Sequence, residues 1–248
     1  MPTSLNWEGD KPAKVRKLLY YSLYIPSMVV TSVLLITLGM LLPVRLRQKY
    51  GAIWNCFVSR TALYWVYGIR VQVQGAENLP SGPFVAVANH QCEWETLFLG
   101  WQLRPIFFVL KRELLRIPFF GWGLRASGAI GIDRSKPREA IRQIEQAGTR
   151  TIRKGRNMLL FPEGTRVAPG EYRRFTRTAA KMAVDCQVPL LPIAHDAGEH
   201  WSPSGKIKPG GTIHLWIGNA IDPQGHNAKS LTDISENWIR EKAGLARE

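Results

Sequence analysis

The stretch NHQCEWETLFLG, residues 89–100, holds His90 and Glu95 five positions apart, with Cys92 and Glu93 between them and apolar runs on either side. A neutral imidazole accepts a proton near neutral pH. A carboxylate beside it fixes its tautomer and stabilises the imidazolium, and the two together make a general base. The same residues also read as a structural histidine at a strand end and a glutamate favouring the first turn of a helix. Spacing constrains the catalytic version: in one continuous helix, five positions set the two side chains about 140° apart. They meet only if residues 91–93 turn and Glu95 opens the next helix. Cys92 offers a second chemistry, a thiol nucleophile activated by His90. Metal ligation by His90 with Glu93 or Glu95 is a third, but His195, His200 and His214 supply no patterned third ligand.

Three more polar clusters follow apolar runs. FVLKREL places Lys111 and Arg112 at the end of one run, and GAIGIDRS places Asp133 and Arg134 at the end of another. NMLLFPEGTR ends a third with Glu163, Gly164, Thr165 and Arg166. Gly164 adopts backbone angles closed to other residues, so its amide can approach an anion closely. Arg166 offers a rigid fork matched to phosphate oxygens. Taken singly, such basic residues are solvated strand ends. Taken with His90 and Glu95 they describe a site for an anionic substrate.

The elements that must carry these residues are legible as short apolar runs alternating with amphipathic ones. Strands are expected at 69–74, 83–89, 106–110, 129–132, 157–161, 189–194 and 212–218. Helices are expected near 95–103, 114–126, 137–154, 176–187 and 230–246. Ile141, Ile144, Gly148 and Ile152 mark the inner face of the third, and Leu231, Ile234, Trp238 and Leu245 that of the last. Alternation of this kind predicts an α/β fold with a mixed, mostly parallel sheet flanked by helices. Ligands of such sheets bind beyond the carboxyl ends of the strands, where the polar clusters sit.

Lys and Arg number 33 against 19 Asp and Glu, a net charge of +14, which calls for an anionic partner. No zinc-finger spacing, helix-turn-helix pattern or RNP-like aromatic motif points to nucleic acid. Three scattered cysteines make neither a disulfide framework nor a four-ligand zinc site and fit a reducing, cytosol-facing compartment. Residues 18–44 form 27 consecutive positions without a formal charge, flanked by basic residues on both sides. Pro26 and Pro43 bracket 16 of them, an uninterrupted length of about 24 Å, short of the roughly 30 Å of a hydrocarbon core. A second segment, 50–67, is rich in aromatics. Two helices embedded in one leaflet, both ends on the cytoplasmic side, are therefore expected over residues 1–66, with a catalytic domain over 67–248.

In order and spacing, HQCEWE, KREL followed by IPFFG, GIDR, FPEGTR and VPLLPIA resemble the motif blocks of the glycerolipid acyltransferases, and most closely the bacterial lysophosphatidate acyltransferases. The resemblance spans about residues 70–220, and the basic, apolar amino-terminal segment resembles the two-helix membrane motif of the bacterial members. Two departures stand out: Glu95 occupies a position where the family more often has aspartate, and Phe175-Thr176-Arg177-Thr178 stands where it has Phe-Lys-x-Gly or Phe-x-x-Gly. The resemblance implies transfer of a fatty acyl group from acyl-CoA or acyl carrier protein to the sn-2 hydroxyl of lysophosphatidic acid, giving phosphatidic acid for phospholipid synthesis. His90 and Glu95 would be catalytic, while Lys111, Arg134, Glu163, Gly164, Thr165 and Arg166 would bind the substrate phosphate, with no metal or cofactor. It further implies residence on the bacterial inner membrane with the site facing the cytoplasm. An acyltransferase for another lysolipid or for glycerol-3-phosphate, or a non-catalytic basic membrane module, would share part of the pattern.

Overall fold

In the computed structural model, which describes residues 11–133 and 135–244, seven strands form one sheet. They are β1 (Arg70–Gln74), β2 (Val85–Ala88), β3 (Ile106–Lys111), β4 (Ile130–Ile132), β5 (Asn157–Leu160), β6 (Leu190–His195) and β7 (Thr212–Ile217), in the spatial order β1-β7-β6-β2-β5-β3-β4. All seven lie where the apolar runs place them. From β6 to β4 the pairing is parallel throughout, while β7 runs antiparallel to β6 and pairs in parallel with edge strand β1. The sheet is thus mixed and mostly parallel. VAVA, NMLL and LLPIAH are buried along their whole length because helices cover both faces, which is why they read as unbroken apolar runs. Edge strand β1, RVQVQ, shows the alternation of a half-covered strand instead.

Among the described residues there are eight α-helices: α1 (Lys11–Ile36), α2 (Val44–Cys56), α3 (Leu63–Tyr67), α4 (Trp94–Gln102), α5 (Phe120–Ala126), α6 (Pro137–Arg153), α7 (Thr178–Cys186) and α8 (Ala228–Lys242). One core joins Ala86, Ala88, Leu191 and Ile193 of the sheet to Trp94 and Phe98 of α4 and to Tyr20 and Leu63 of the amino-terminal helices. The opposite core joins Val85, Val87, Met158 and Leu160 to Met182 of α7 and to Leu231 and Ile239 of α8. On α8 the expected stripe is corrected: Ile234 is exposed, Leu245 lies outside the described residues, and Leu231 and Ile239 carry the packing. Ile141 of α6 likewise points outward, while Ile152 is buried as expected and Ala140 is buried beside the stripe.

Pro26 does not end a helix. α1 runs through it for 26 residues, about 39 Å, and the hydroxyl of Ser27 donates to the carbonyls of Leu23 and Tyr24 (2.5 and 3.0 Å) in the disturbed turn. Within Pro12–Leu41 the most apolar 18 residues have a mean hydropathy of 1.9 and few of them are buried, so this segment is long and apolar enough to cross a membrane. The expected helix over 114–126 is also revised. Ile117, held extended ahead of Pro118 (φ −66°, ψ 123°), divides a short 3-10 turn, Arg112–Arg116, from α5.

Between α2 and α3 the chain winds one π-turn, Phe57–Ala62. Such turns misalign backbone carbonyls, and two of them here find outside donors. The Tyr20 hydroxyl of α1 donates to the carbonyl of Val58 (3.0 Å), and the Trp94 indole of α4 donates to that of Ser59 (2.8 Å). The amino-terminal helices are thereby bonded to the helix that carries Glu95 in its first turn.

Candidate active site

Parallel strands β6, β2, β5, β3 and β4 end on one edge of the sheet. From β2 the chain leaves through α4 on one face, and from the adjacent β5 it leaves through α7 on the other. The two connections diverge, opening the crevice in which α/β folds bind ligands. Residues 89–95 line one side of it and residues 161–166 the other.

Beyond β2, Asn89 is fixed to the end of β6 by three hydrogen bonds. Its Nδ2 donates to the His195 carbonyl (2.9 Å), and its Oδ1 accepts from the His195 amide (3.1 Å). Its carbonyl accepts from His195 Nε2 (2.8 Å). Residues 91–93 then turn, α4 starts at Trp94, and Glu95 in its first turn folds back as the spacing requires. Glu95 Oε1 lies 2.5 Å from His90 Nδ1 and also accepts from the amides of Gln91 (3.1 Å) and Cys92 (3.0 Å). Full burial alone would raise this carboxyl; the hydrogen bond from His90 and the nearby His195 outweigh it and hold Glu95 below the usual carboxylate range. A carboxylate so placed takes the Nδ1 proton of His90 as donor and leaves the Nε2 lone pair outward. The His90 side chain is 17% exposed, and among the described residues no group hydrogen-bonds to its Nε2. Phe161 stacks on the ring at 4.3 Å and 18°.

His195 is the residue sequence reasoning missed, having no patterned neighbours. Burial holds its pKa below the ordinary histidine value, its Nδ1 accepts from the Ala197 amide (3.3 Å), and its Nε2 sits 4.0 Å from Glu95 Oε2. At 4.0 Å it makes no direct hydrogen bond to Glu95. Its position at the end of β6, on the same edge as His90, was the available signal.

Glu163 departs from its expected role. Its side chain is buried and its Oε2 accepts the backbone N–H of His90 (3.1 Å), so it braces the base rather than facing a phosphate. Burial, with the charge of Glu95 adding to it, pushes its carboxyl up to about 8, so it is mostly protonated at neutral pH. In an unfolded chain the same group ionises near 4.3. The folded state therefore keeps a proton that the unfolded state releases, and the stability Glu163 contributes is complete below about pH 4.3 and drains away as pH rises to about 8. Between pH 5 and 9 the melting temperature of wild type is expected to fall relative to that of Glu163→Gln. Parallel melting curves across that range would refute the assignment.

The other expected anion ligands are dispersed. Arg166 is 36% exposed; its guanidinium lies 3.4 Å from Glu93 Oε1 and donates to the Pro203 carbonyl (3.4 Å), both at the crevice mouth. Gly164 takes a positive φ of 73°, but its amide donates to the Phe161 carbonyl (3.0 Å), so it closes the turn instead of pointing at a ligand. Thr165 is exposed beside it. Lys111 lies two strands from β2, about 10 Å across the sheet, and sits 4.0 Å from Glu113. Arg134 falls outside the described residues, and its neighbour Asp133 pairs with Arg112 at 4.0 Å. The loop carrying Arg173 and Arg174 is tied down from α8: buried Glu236 accepts from the Tyr172 hydroxyl, the Phe175 amide and Arg240 (3.1, 3.1 and 2.7 Å).

The family model named acyltransferase matches residues 70–196, from β1 to the end of β6, taking in every element of this crevice. The chain belongs to the acyltransferase family. It is 38% identical over 230 residues to the 1-acyl-sn-glycerol-3-phosphate acyltransferase of Pseudomonas aeruginosa, covering 92% of this chain and 90% of that one. It is 37% identical to the human 1-acyl-sn-glycerol-3-phosphate acyltransferase alpha over 134 residues, 52% of this chain and 46% of the relative. In three dimensions it resembles the crystal structure of the 1-acyl-sn-glycerophosphate (LPA) acyltransferase PlsC from Thermotoga maritima. The TM-score is 0.78 at 25% identity, covering 95% of this chain and 97% of the other.

An acyltransferase can proceed through a cysteine thioester, and Cys92 is the thiol beside His90. Its side chain is wholly buried, burial and the Glu95 charge push its pKa well above the ordinary thiol value, and its Sγ donates to Glu95 Oε2 (3.0 Å). A neutral, enclosed thiol is no nucleophile. Cys92→Ala is expected to retain most of its turnover; a folded but inactive Cys92→Ala protein would restore the covalent route.

Proposed function

We infer that this acyltransferase moves a fatty acyl group from a thioester donor to the sn-2 hydroxyl of lysophosphatidic acid, giving phosphatidic acid. The observation carrying this reading is the 2.5 Å pair of His90 Nδ1 and Glu95 Oε1, with Nε2 open to a crevice that has Arg166 at its mouth. The acceptor hydroxyl gives its proton to His90 Nε2 as its oxygen attacks the thioester carbonyl. Glu95 holds the ring in the tautomer that can receive that proton and stabilises the imidazolium. Collapse of the tetrahedral adduct breaks the carbon–sulfur bond, and the imidazolium returns the proton to the departing thiolate. Arg166, exposed and engaged only through contacts of 3.4 Å, exchanges Glu93 for the acceptor phosphate.

Acyl-CoA and acyl carrier protein both present the required thioester. Residues 1–66 serve as the membrane anchor and residues 67–248 as the catalytic unit, with the crevice on the cytoplasmic side of a bacterial inner membrane. The test is a matrix of purified full-length protein with both donors against lysophosphatidate, other lysolipids and glycerol-3-phosphate, with His90→Ala as control. Lysophosphatidate should be the preferred acceptor. Preference for another acceptor would overturn the substrate assignment, and turnover independent of His90 would overturn the mechanism.

A further inference from the structure

The segment from Arg112 to Trp122 has a shape that the catalytic reading leaves unused. After the 3-10 turn Arg112–Arg116 and extended Ile117, the chain makes a γ-turn in which the Phe120 amide donates to the Pro118 carbonyl (2.6 Å) and Phe119 takes a φ of +59°. A residue with a Cβ is strained in such a conformation. The turn brings the Phe119 ring 5.0 Å from that of Trp122. Around this pair Leu114, Ile117 and Trp122 are 37%, 44% and 39% exposed. One exposed apolar side chain is ordinary, but a contiguous group held out by a strained turn marks a contact surface.

The neighbouring surface identifies what is contacted. α5 lies directly on α1, so close that a Cβ on Gly123 would fall 2.6 Å from the Ser32 hydroxyl. Val30, Val33 and Leu34 of α1 are exposed in this region, continuing the apolar surface along the helix that is long enough to cross a membrane. Arg112 and Arg116 precede the aromatic pair in the chain and Arg125 follows it, and the nearby acids Glu113 and Asp133 lie 4.0 Å from Lys111 and Arg112. An apolar aromatic tip flanked in the chain by cations is the chemistry of the headgroup boundary of an anionic leaflet.

We propose that residues 114–122 are a separate membrane contact, inserted beside α1 at the headgroup boundary. The proposal rests on the anchoring role given to α1 above. Lys111, which leads into this segment, ends β3 on the same sheet edge as His90, so the contact sets the mouth of the crevice against the leaflet surface. A lysolipid then reaches His90 by lateral diffusion, without leaving the bilayer.

The test uses full-length protein in vesicles of phosphatidylcholine and phosphatidylglycerol. Trp122→Phe removes one of nine indoles, so the emission of wild type minus that of the variant reports Trp122. Lipids brominated near the headgroup should quench this difference emission more strongly than lipids brominated near the chain ends. Replacing Leu114→Glu and Ile117→Glu together should raise the apparent KM for vesicle-borne lysophosphatidate about tenfold and leave turnover of a short-chain, monomerically dissolved acceptor unchanged. Unquenched Trp122 emission in protein that does bind the vesicles overturns this inference alone. Equal losses on both acceptors do the same, as does a KM increase confined to the thioester, which would mark a donor-docking face. Failure of wild type to bind vesicles overturns the anchoring role of α1 and this contact with it.

Discussion

His90→Ala is expected to lower kcat about 10²- to 10⁴-fold, because it removes the imidazole that Glu95 holds with its Nε2 outward. The substitution leaves the main-chain bonds to Glu163 and Val167 in place but takes the imidazole partner from buried Glu95, so the protein should remain folded with a lowered melting temperature. Substitutions of Glu95 separate charge from shape. Its carboxylate receives three N–H donors, from His90, Gln91 and Cys92. A glutamine whose oxygen takes the Oε1 place keeps these three bonds, but its NH2 group then faces the amide and the thiol of Cys92, which both donate to Oε2, and it carries no charge. Glu95→Gln is expected to lose about 10²-fold or more, because a neutral amide does not stabilise the imidazolium, while Glu95→Asp keeps the charge and more of the rate. Wild-type activity in Glu95→Gln would remove Glu95 from the mechanism, and wild-type activity in His90→Ala would remove the pair.

The second large effect falls on binding. Arg166→Ala is expected to raise the apparent KM for lysophosphatidate about 10- to 150-fold, the equivalent of one charge-assisted contact of about 1.5–3 kcal/mol, with little change for the thioester. Lys at this position should rescue only partly, since a point charge cannot reproduce the bidentate fork. The resting partners of Arg166 are an exposed glutamate and one carbonyl, both at 3.4 Å, and exposed pairs of this kind contribute at most about 1 kcal/mol to folding. A lowered melting temperature together with equal losses for donor and acceptor would show that Arg166 braces the FPEGTR loop. Steady-state kinetics varying each substrate in turn, beside a thermal scan, distinguishes the two roles.

The central strands VAVA, NMLL and LLPIAH were legible because a strand covered on both faces must be apolar along its length, and β1 and β7 because a half-covered strand alternates. The fold-back of Glu95 onto His90 was legible because five positions in one helix cannot bring them together. Interactions between distant segments were not. Asn89 and His195 meet across 106 positions, and nothing local to either marks the pairing. Glu163 reads as part of a phosphate loop until burial and the amide of His90 are in view. Pro26 reads as a helix end because its missing N–H is visible in the sequence, whereas the Ser27 hydroxyl bonds in the same turn depend on its rotamer. Residues 114–126 read as one helix because the periodicity continues, yet Pro118 forces its predecessor to be extended.

The π-turn bears on how this enzyme could be made water-soluble. Truncation after the apolar helices would discard the carbonyl of Ser59 and strand the indole N–H of Trp94, a side chain with no exposure, one residue from Glu95. An unmet buried donor costs about 1–3 kcal/mol, and the face of α4 left bare would cost more. Repainting is the better route: polar residues at Leu18, Leu19, Val30 and Leu34, which are exposed, leave Tyr20 and its bond to Val58 in place. A detergent-free enzyme obtained in this way would keep its base aligned.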